Sequence, residues 1–264
     1  MNTFWVQVDV QLDALTSRFY MNDCGGRDQV VNAVNQFGWR GYEPPLPEVI
    51  AKICRGWKPV FVDVGANTGY YSLLAACSGA SKVYAFEPVP SIYQIFTDNI
   101  RESALQQQIT TFDVGIGEQP GSFTLYLPEA GHGLIETSAS LNKDFRATHS
   151  AEFEVEVTTL DAFGQREAAS LAGQQLLMKI DVETLEPQVI LGGLQFIAAY
   201  RPVIAIEILP GTDVGFFERF CADQNYDHIW LRPGSAFDIT GAAIETSLQH
   251  RDHLLIPREK TGAL

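Results

Sequence analysis

The chain has 264 residues, 46% of them hydrophobic and 19% charged, the balance of an ordinary soluble globular protein with length for one large α/β domain or two small ones. Its 32 acidic residues against 18 basic ones leave a net charge of −14, a surface that repels phosphate backbones and anionic lipid, so neither nucleic acid nor a membrane is an expected partner. Cys24, Cys54, Cys77 and Cys221 show no CxxC spacing, which argues against a disulfide framework or a zinc site. No apolar run reaches the roughly 18 residues of a spanning helix, and the N-terminus has no basic segment; a cytoplasmic protein is the expectation.

Met1 to Leu15 reads as a strand and a turn, and Asp28 to Phe37 as a helix. Pro44, Pro45 and Pro47 then interrupt the chain, a short helix follows over Glu48 to Cys54, and Arg55 to Pro59 reads as a turn. Residues 1–59 are expected to form an N-terminal cap or extension on a Rossmann-like domain of residues 60–264, within a single compact domain.

From Val60 the pattern alternates. Strands are predicted over Val60–Val64, Lys82–Phe86, Gln108–Val114, Leu176–Ile180 and Val203–Leu209, with helices over Tyr70–Ser78, Ser91–Ser103, Pro187–Leu191, Leu194–Ala199 and Phe216–Asp223. Ser91 reads as a cap, with Pro90 excluding an earlier start. Tyr226–Leu231 and His253–Ile256 are the last strands. Ser122–Leu127 and Phe153–Val157 read as a half-exposed hairpin around a long polar stretch, Pro128 to Ser150. The fold class is therefore α/β: a mostly parallel sheet with helices on both faces, an antiparallel edge strand and a hairpin insertion.

The stretch Asp63-Val64-Gly65-Ala66-Asn67-Thr68-Gly69, between the first strand and its helix, has the position of a nucleotide-binding turn. A dinucleotide turn needs G-x-G-x-x-G for close approach of a pyrophosphate, and here Asn67 stands where the second glycine belongs. Asp63 adds a carboxylate before the turn, and Glu87 ends the next strand, where it can accept from both hydroxyls of a ribose. Together they suit S-adenosylmethionine, whose amino and sulfonium groups are cationic, better than a diphosphate.

Phe61 to Ser72 resembles the first motif of class I methyltransferases in its FkbM form, and Ala85-Phe86-Glu87-Pro88 resembles the second. Val157-Thr158-Thr159-Leu160-Asp161 and Met178-Lys179-Ile180-Asp181-Val182-Glu183-Thr184-Leu185-Glu186 are similar to two further FkbM motifs, with Thr184 where the family usually has Gly. The likeness runs from about Tyr42 to Leu209. It implies an S-adenosylmethionine-dependent methyltransferase, with O-methylation of a small-molecule, sugar or natural-product hydroxyl as the expectation. It also implies that Asp63, Gly65, Ala66, Asn67, Thr68 and Gly69 serve the methionine end of the cofactor and Glu87, with Pro88, the ribose. Asp113 and Val114 are implied at adenine, Asp181 at the methionine group, and Tyr42 from the cap. For Asp113 the alternative is a turn carboxylate before Gly115.

For catalysis, Lys179, Asp181 and Glu183 share one side if the strand extends that far. Lys179 could be a base of lowered pKa or position the acceptor, and the carboxylates are compatible with Mg²⁺. No second ligand cluster is defined, so no metal is expected. His132, between two glycines in the long loop, is the other candidate base. Glu207, ending the most hydrophobic strand, either touches substrate or caps the sheet. A homo-oligomer is compatible with the sequence. The alternatives are an NAD-dependent oxidoreductase and a cofactor-binding scaffold without catalysis.

Overall fold

The computed structural model describes residues 4–128, 134, 149–232 and 243–263. A seven-stranded sheet forms its centre, in the order β11-β12-β10-β9-β3-β4-β5. These strands are β3 (Val60–Val64), β4 (Lys82–Phe86), β5 (Ile109–Phe112), β9 (Leu176–Ile180), β10 (Val203–Glu207), β11 (Tyr226–Trp230) and β12 (Asp252–Pro257). The pairs β3–β4, β4–β5, β3–β9 and β9–β10 are parallel, whereas β12 runs antiparallel to both of its neighbours. The antiparallel strand expected at an edge thus lies one place in, between β10 and β11. Read alone, an edge strand and its inner neighbour look alike when both are apolar.

Both sheet faces are covered, which is why β3, β9 and β10 are buried along their whole length and read as continuous apolar runs. One face packs under α1 (Gln29–Phe37), α2 (Leu46–Trp57), α3 (Tyr70–Ser78) and α4 (Pro90–Glu102) through Phe61, Leu177, Ala205 and Leu254. The other packs under α5 (Leu160–Arg166), α6 (Ala168–Leu171), α7 (Glu186–Leu191), α8 (Leu194–Tyr200) and α9 (Val214–Gln224) through Val62, Met178, Ile204 and Leu255. Strand alternation assigns each residue to its face.

The expected N-terminal strand is one arm of a hairpin, β1 (Trp5–Leu12) and β2 (Leu15–Asn22), turning at Asp13 with a left-handed backbone. It is pinned to the helical layer: Asn99 accepts from the Asn22 amide at 2.8 Å and Ser103 from the Tyr20 amide at 2.9 Å. Asp28 caps α1 by accepting from the Val30 and Val31 amides. Two helices start earlier than expected because proline suits the first helical turn, where its missing N–H has no partner to lose. Pro90 is the first residue of α4, so Ser91 is not its cap, and Pro47 lies inside the first turn of α2, which also extends through the predicted turn to Trp57.

A smaller sheet, in the order β6-β8-β7, contains β6 (Gly115–Ile116), β7 (Gly121–Pro128) and β8 (His149–Thr158). The predicted hairpin is β7 with β8, and both arms are longer than the sequence pattern marks. The single strand predicted over Gln108–Val114 ends at Phe112, and the chain then moves from the large sheet to the small one at Gly115.

Candidate active site

A pocket with a cavity volume of about 120 Å³ opens at the C-terminal ends of β3, β4, β9 and β10. That is where open α/β sheets bind ligands, because the strand order reverses there between β3 and β9. It has two unlike ends. Phe86, Val89, Ile116, Leu125, Val155 and Val157 make one end apolar; Glu43, Asp181, Glu183, Glu207 and Arg251 make the other acidic. Gly65, Asn67 and Glu87 lie with Pro88 on the wall they share.

The turn after β3 is held by close packing. Gly65 has φ +83°, and a Cβ there would stand 1.8 Å from the Asp181 carbonyl oxygen. Gly69 has φ +94° and would meet the Phe96 ring at 2.1 Å. Both positions therefore require glycine. The amides of Gly65 and Ala66 donate to the Phe86 carbonyl at 3.1 and 2.9 Å, tying the turn to β4. Asn67, left-handed at φ +53°, donates its amide to Glu87 Oε2 at 2.9 Å, and the Val89 amide donates to Oε1 at 2.9 Å. Each Glu87 oxygen keeps a second lone pair for a ligand. Burial pushes its carboxyl up to about 7 against the pull of those two amides.

Of the expected cofactor residues, Tyr42, Gly65, Asn67, Glu87, Pro88 and Asp181 line this pocket. Asp63, Ala66, Thr68 and Gly69 do not; they shape the turn from behind. Asp63 is fully buried and accepts from Ser72 Oγ at 2.6 Å, a brace between β3 and α3. Thr68 accepts from Asn99 Nδ2 at 2.8 Å through its carbonyl. Asp113 is exposed and Val114 is partly buried beside Ile116; neither lines the pocket, whereas Gly115 and Ile116 do. Asp113 and Val114 both lie past the end of β5 at Phe112.

Lys179, Asp181 and Glu183 come together by a different route from strand alternation. β9 stops at Ile180, and Glu183 lies in a turn with φ +55°. Lys179 is 4% exposed, bonded to Asp181 Oδ2 at 2.7 Å and stacked over the Tyr71 ring at 4.7 Å. Burial alone would lower its pKa, but Asp181, Glu43 and Asp63 hold it well above the ordinary range. It is therefore a fixed ammonium and not a base of lowered pKa. Glu186 secures the turn by accepting from the Val182 amide at 3.1 Å. Thr184 has a glycine-like φ of +78°. His132 lies outside the described residues.

The sequence offered little signal for Arg251, whose guanidinium reaches Glu43 at 3.1 Å and Glu207 at 2.9 Å. Glu43 also accepts from Tyr71 Oη at 2.9 Å, joining the N-terminal segment to α3. Burial drives Glu207 upward in pKa, with Asp181 and Glu183 adding to it and Arg251 opposing. Oxygens of Glu43, Asp181 and Glu207 lie within 4.8 Å of one another, the carboxylate cluster that sequence spacing did not define. Val155 and Val157 were legible as hairpin residues but not as pocket wall.

The sheet and the site at its C-terminal edge define a Rossmann-like α/β protein of the class I methyltransferase type. The profile of the methyltransferase FkbM domain matches residues 63–228, more than half of the chain, and the protein belongs to that family. No curated protein matches it. Among solved structures, the methyltransferase FkbM from Methylobacillus flagellatus KT is 15% identical, over 75% of this chain and 43% of its own, with a TM-score of 0.48. The SAM-dependent methyltransferase from Agrobacterium tumefaciens is 12% identical, over 96% of this chain and 70% of its own, at 0.47. An uncharacterized protein from Listeria monocytogenes serotype 4b is 16% identical, over 82% and 68%, at 0.42. The chain spans less than half of the Methylobacillus protein. Among the described residues, no helix is long and apolar enough to cross a membrane.

Proposed function

We propose that this protein is an S-adenosylmethionine-dependent methyltransferase acting on a hydroxyl of a small molecule, sugar or natural product. The observation that carries the reading is Glu87, a carboxylate held by two backbone amides midway between an apolar and an acidic chamber. That order matches the cofactor's own polarity: an aromatic base, a ribose diol, and a cationic methionine end. In the apolar chamber, Phe86, Ile116 and Val157 would flank the adenine; Glu87 would accept from the ribose; Gly65 and Asn67 would border the methionine portion. When bound, the cofactor supplies an electrophilic methyl group.

The chain's own contribution is alignment and charge. Fixing the acceptor in line can account for about 7–11 kcal/mol of barrier. Asp181, held by Lys179, and Glu207, held by Arg251, stand where a hydroxyl acceptor would approach, and either carboxylate can take its proton, a contribution of about 10²–10⁴-fold. Residues 1–59 act as a cap that carries Tyr42 and Glu43 to this end of the pocket.

Calorimetric titration with S-adenosylhomocysteine and, separately, with NAD tests the reading. Binding of S-adenosylhomocysteine alone supports it, and binding of NAD alone overturns it in favour of an oxidoreductase. Gly65, Asn67 and Gly69 lack the middle glycine of a diphosphate turn, which favours the first outcome.

A further inference from the structure

The acidic end of the pocket carries more negative charge than its neighbours offset. Glu43, Asp63, Asp181, Glu183, Glu207 and Asp252 converge there from five segments, and among the described residues Lys179 and Arg251 are the cations facing them. Lys179 is engaged with Asp181, and Arg251 divides its guanidinium between Glu43 and Glu207. Glu207 is 4% exposed and lines the pocket, yet its Oε2 has no hydrogen-bond partner among the described residues. A buried carboxylate oxygen without a donor is costly, and its presence in a ligand pocket marks a missing electrophile or donor.

We propose that Glu43, Asp181 and Glu207 bind one divalent cation of the hard, oxygen-seeking class. Their ligand oxygens lie within 4.8 Å of one another. Three oxygens that close can share the coordination sphere of one ion of calcium's size, whose oxygen bonds are about 2.3–2.6 Å. The cluster contains neither His nor Cys, which selects against zinc and for calcium, manganese or magnesium. Arg251 is the counter-charge of the metal-free protein; one-third exposed, its side chain has a path to solvent when the ion enters. Cation binding stands independently of the methyltransferase reading. Its use, drawing an acceptor oxygen toward the methyl donor and easing loss of its proton, rests on that reading.

Titration of the full chain with Mn²⁺, followed by the electron paramagnetic resonance signal of the free ion, tests the site. One saturable equivalent, displaced by Ca²⁺, is expected. Glu207→Gln should weaken it by about tenfold or more, and Arg251→Ala should tighten it by removing the competing cation. Absence of saturable binding by Mn²⁺ and Ca²⁺ overturns the proposal, as does unchanged binding in Glu207→Gln with the fold intact by thermal melting. Where Glu207→Gln does not fold, Asp181→Asn replaces it under the same criterion. Calorimetry with S-adenosylhomocysteine on the same preparation separates the two readings: binding of the nucleoside without a cation site overturns only this inference, and the reverse result overturns only the methyltransferase assignment.

Discussion

The two ends of the pocket are built in opposite ways. The apolar end is made by one hairpin and the segment after β4: Leu125, Val155 and Val157 sit on one face of the hairpin, and Val89 follows Glu87 by two residues. Burial of ordinary hydrophobic surface holds it, a non-directional force that tolerates changes conserving volume. The acidic end draws Glu43, Asp181, Glu207 and Arg251 from four distant segments, and its energy depends on directional pairs at 2.7–3.1 Å. The first end sets a shape that accepts a flat apolar group. The second concentrates charge, and small displacements there alter chemistry before they alter stability.

The substitution of largest effect strikes the joint between them. Gly65→Ala puts a Cβ against the Asp181 carbonyl at a φ that non-glycine residues avoid, and should cost about 2–5 kcal/mol in chemical denaturation. Loss of under about 1 kcal/mol would show that the turn and the loop after β9 part easily. At the apolar end, Leu125→Ala should cost about 2–3 kcal/mol, while Leu125→Met should cost under about 1.5 kcal/mol. A large loss in Leu125→Met would mean that the hairpin wall is as demanding as the acidic one.

Glu87 links the ends, and its titration separates folding from binding. Its carboxyl lies at about 7 in the folded protein against an ordinary 4.5, so its contribution to stability is fully present below pH 4.5 and is lost as pH rises through 7. Hydrogen bonds from ribose hydroxyls favour the ionised form, so affinity for S-adenosylhomocysteine should rise over that same window. Glu87→Gln should cost about 1–3 kcal/mol of that binding at pH 8 and flatten the dependence in calorimetry. Glu186 also lies at about 7, so the stability slope should shrink only in part in the variant. A binding slope that survives Glu87→Gln would remove the ribose assignment. The smallest effect is expected at Thr184→Gly, a gain of about 0.5–1 kcal/mol in thermal melting, since relief of the left-handed threonine exceeds the entropy lost by glycine.

The parallel strands β3, β4 and β9 were legible to the residue because burial on both faces leaves an apolar run with sharp ends. Helix α3 was equally clear between two glycines. The N-terminal hairpin was harder to read. β2 is Leu-Thr-Ser-Arg-Phe-Tyr-Met-Asn, buried fully only at Phe19 and Met21 under the helices, and its polar residues conceal the strand. The end of β5 was misread for a related reason: where a strand leaves one sheet for another depends on the partner, which local pattern does not contain.

By itself the sequence determined the alternating α/β plan, the glycine turn with Asn67 at its centre, the Glu87 carboxylate and, through its motifs, the family. Those features are local, with each residue's role following from neighbours a few positions away. Tertiary structure alone decided that Asp63 braces the sheet instead of lining the pocket, that Lys179 stays charged, and that Glu43, Glu207 and Arg251 meet Asp181. A pKa and an ion pair depend on distance and burial across the fold, and sequence spacing carries neither once the partners lie more than 200 residues apart, as Glu43 and Arg251 do.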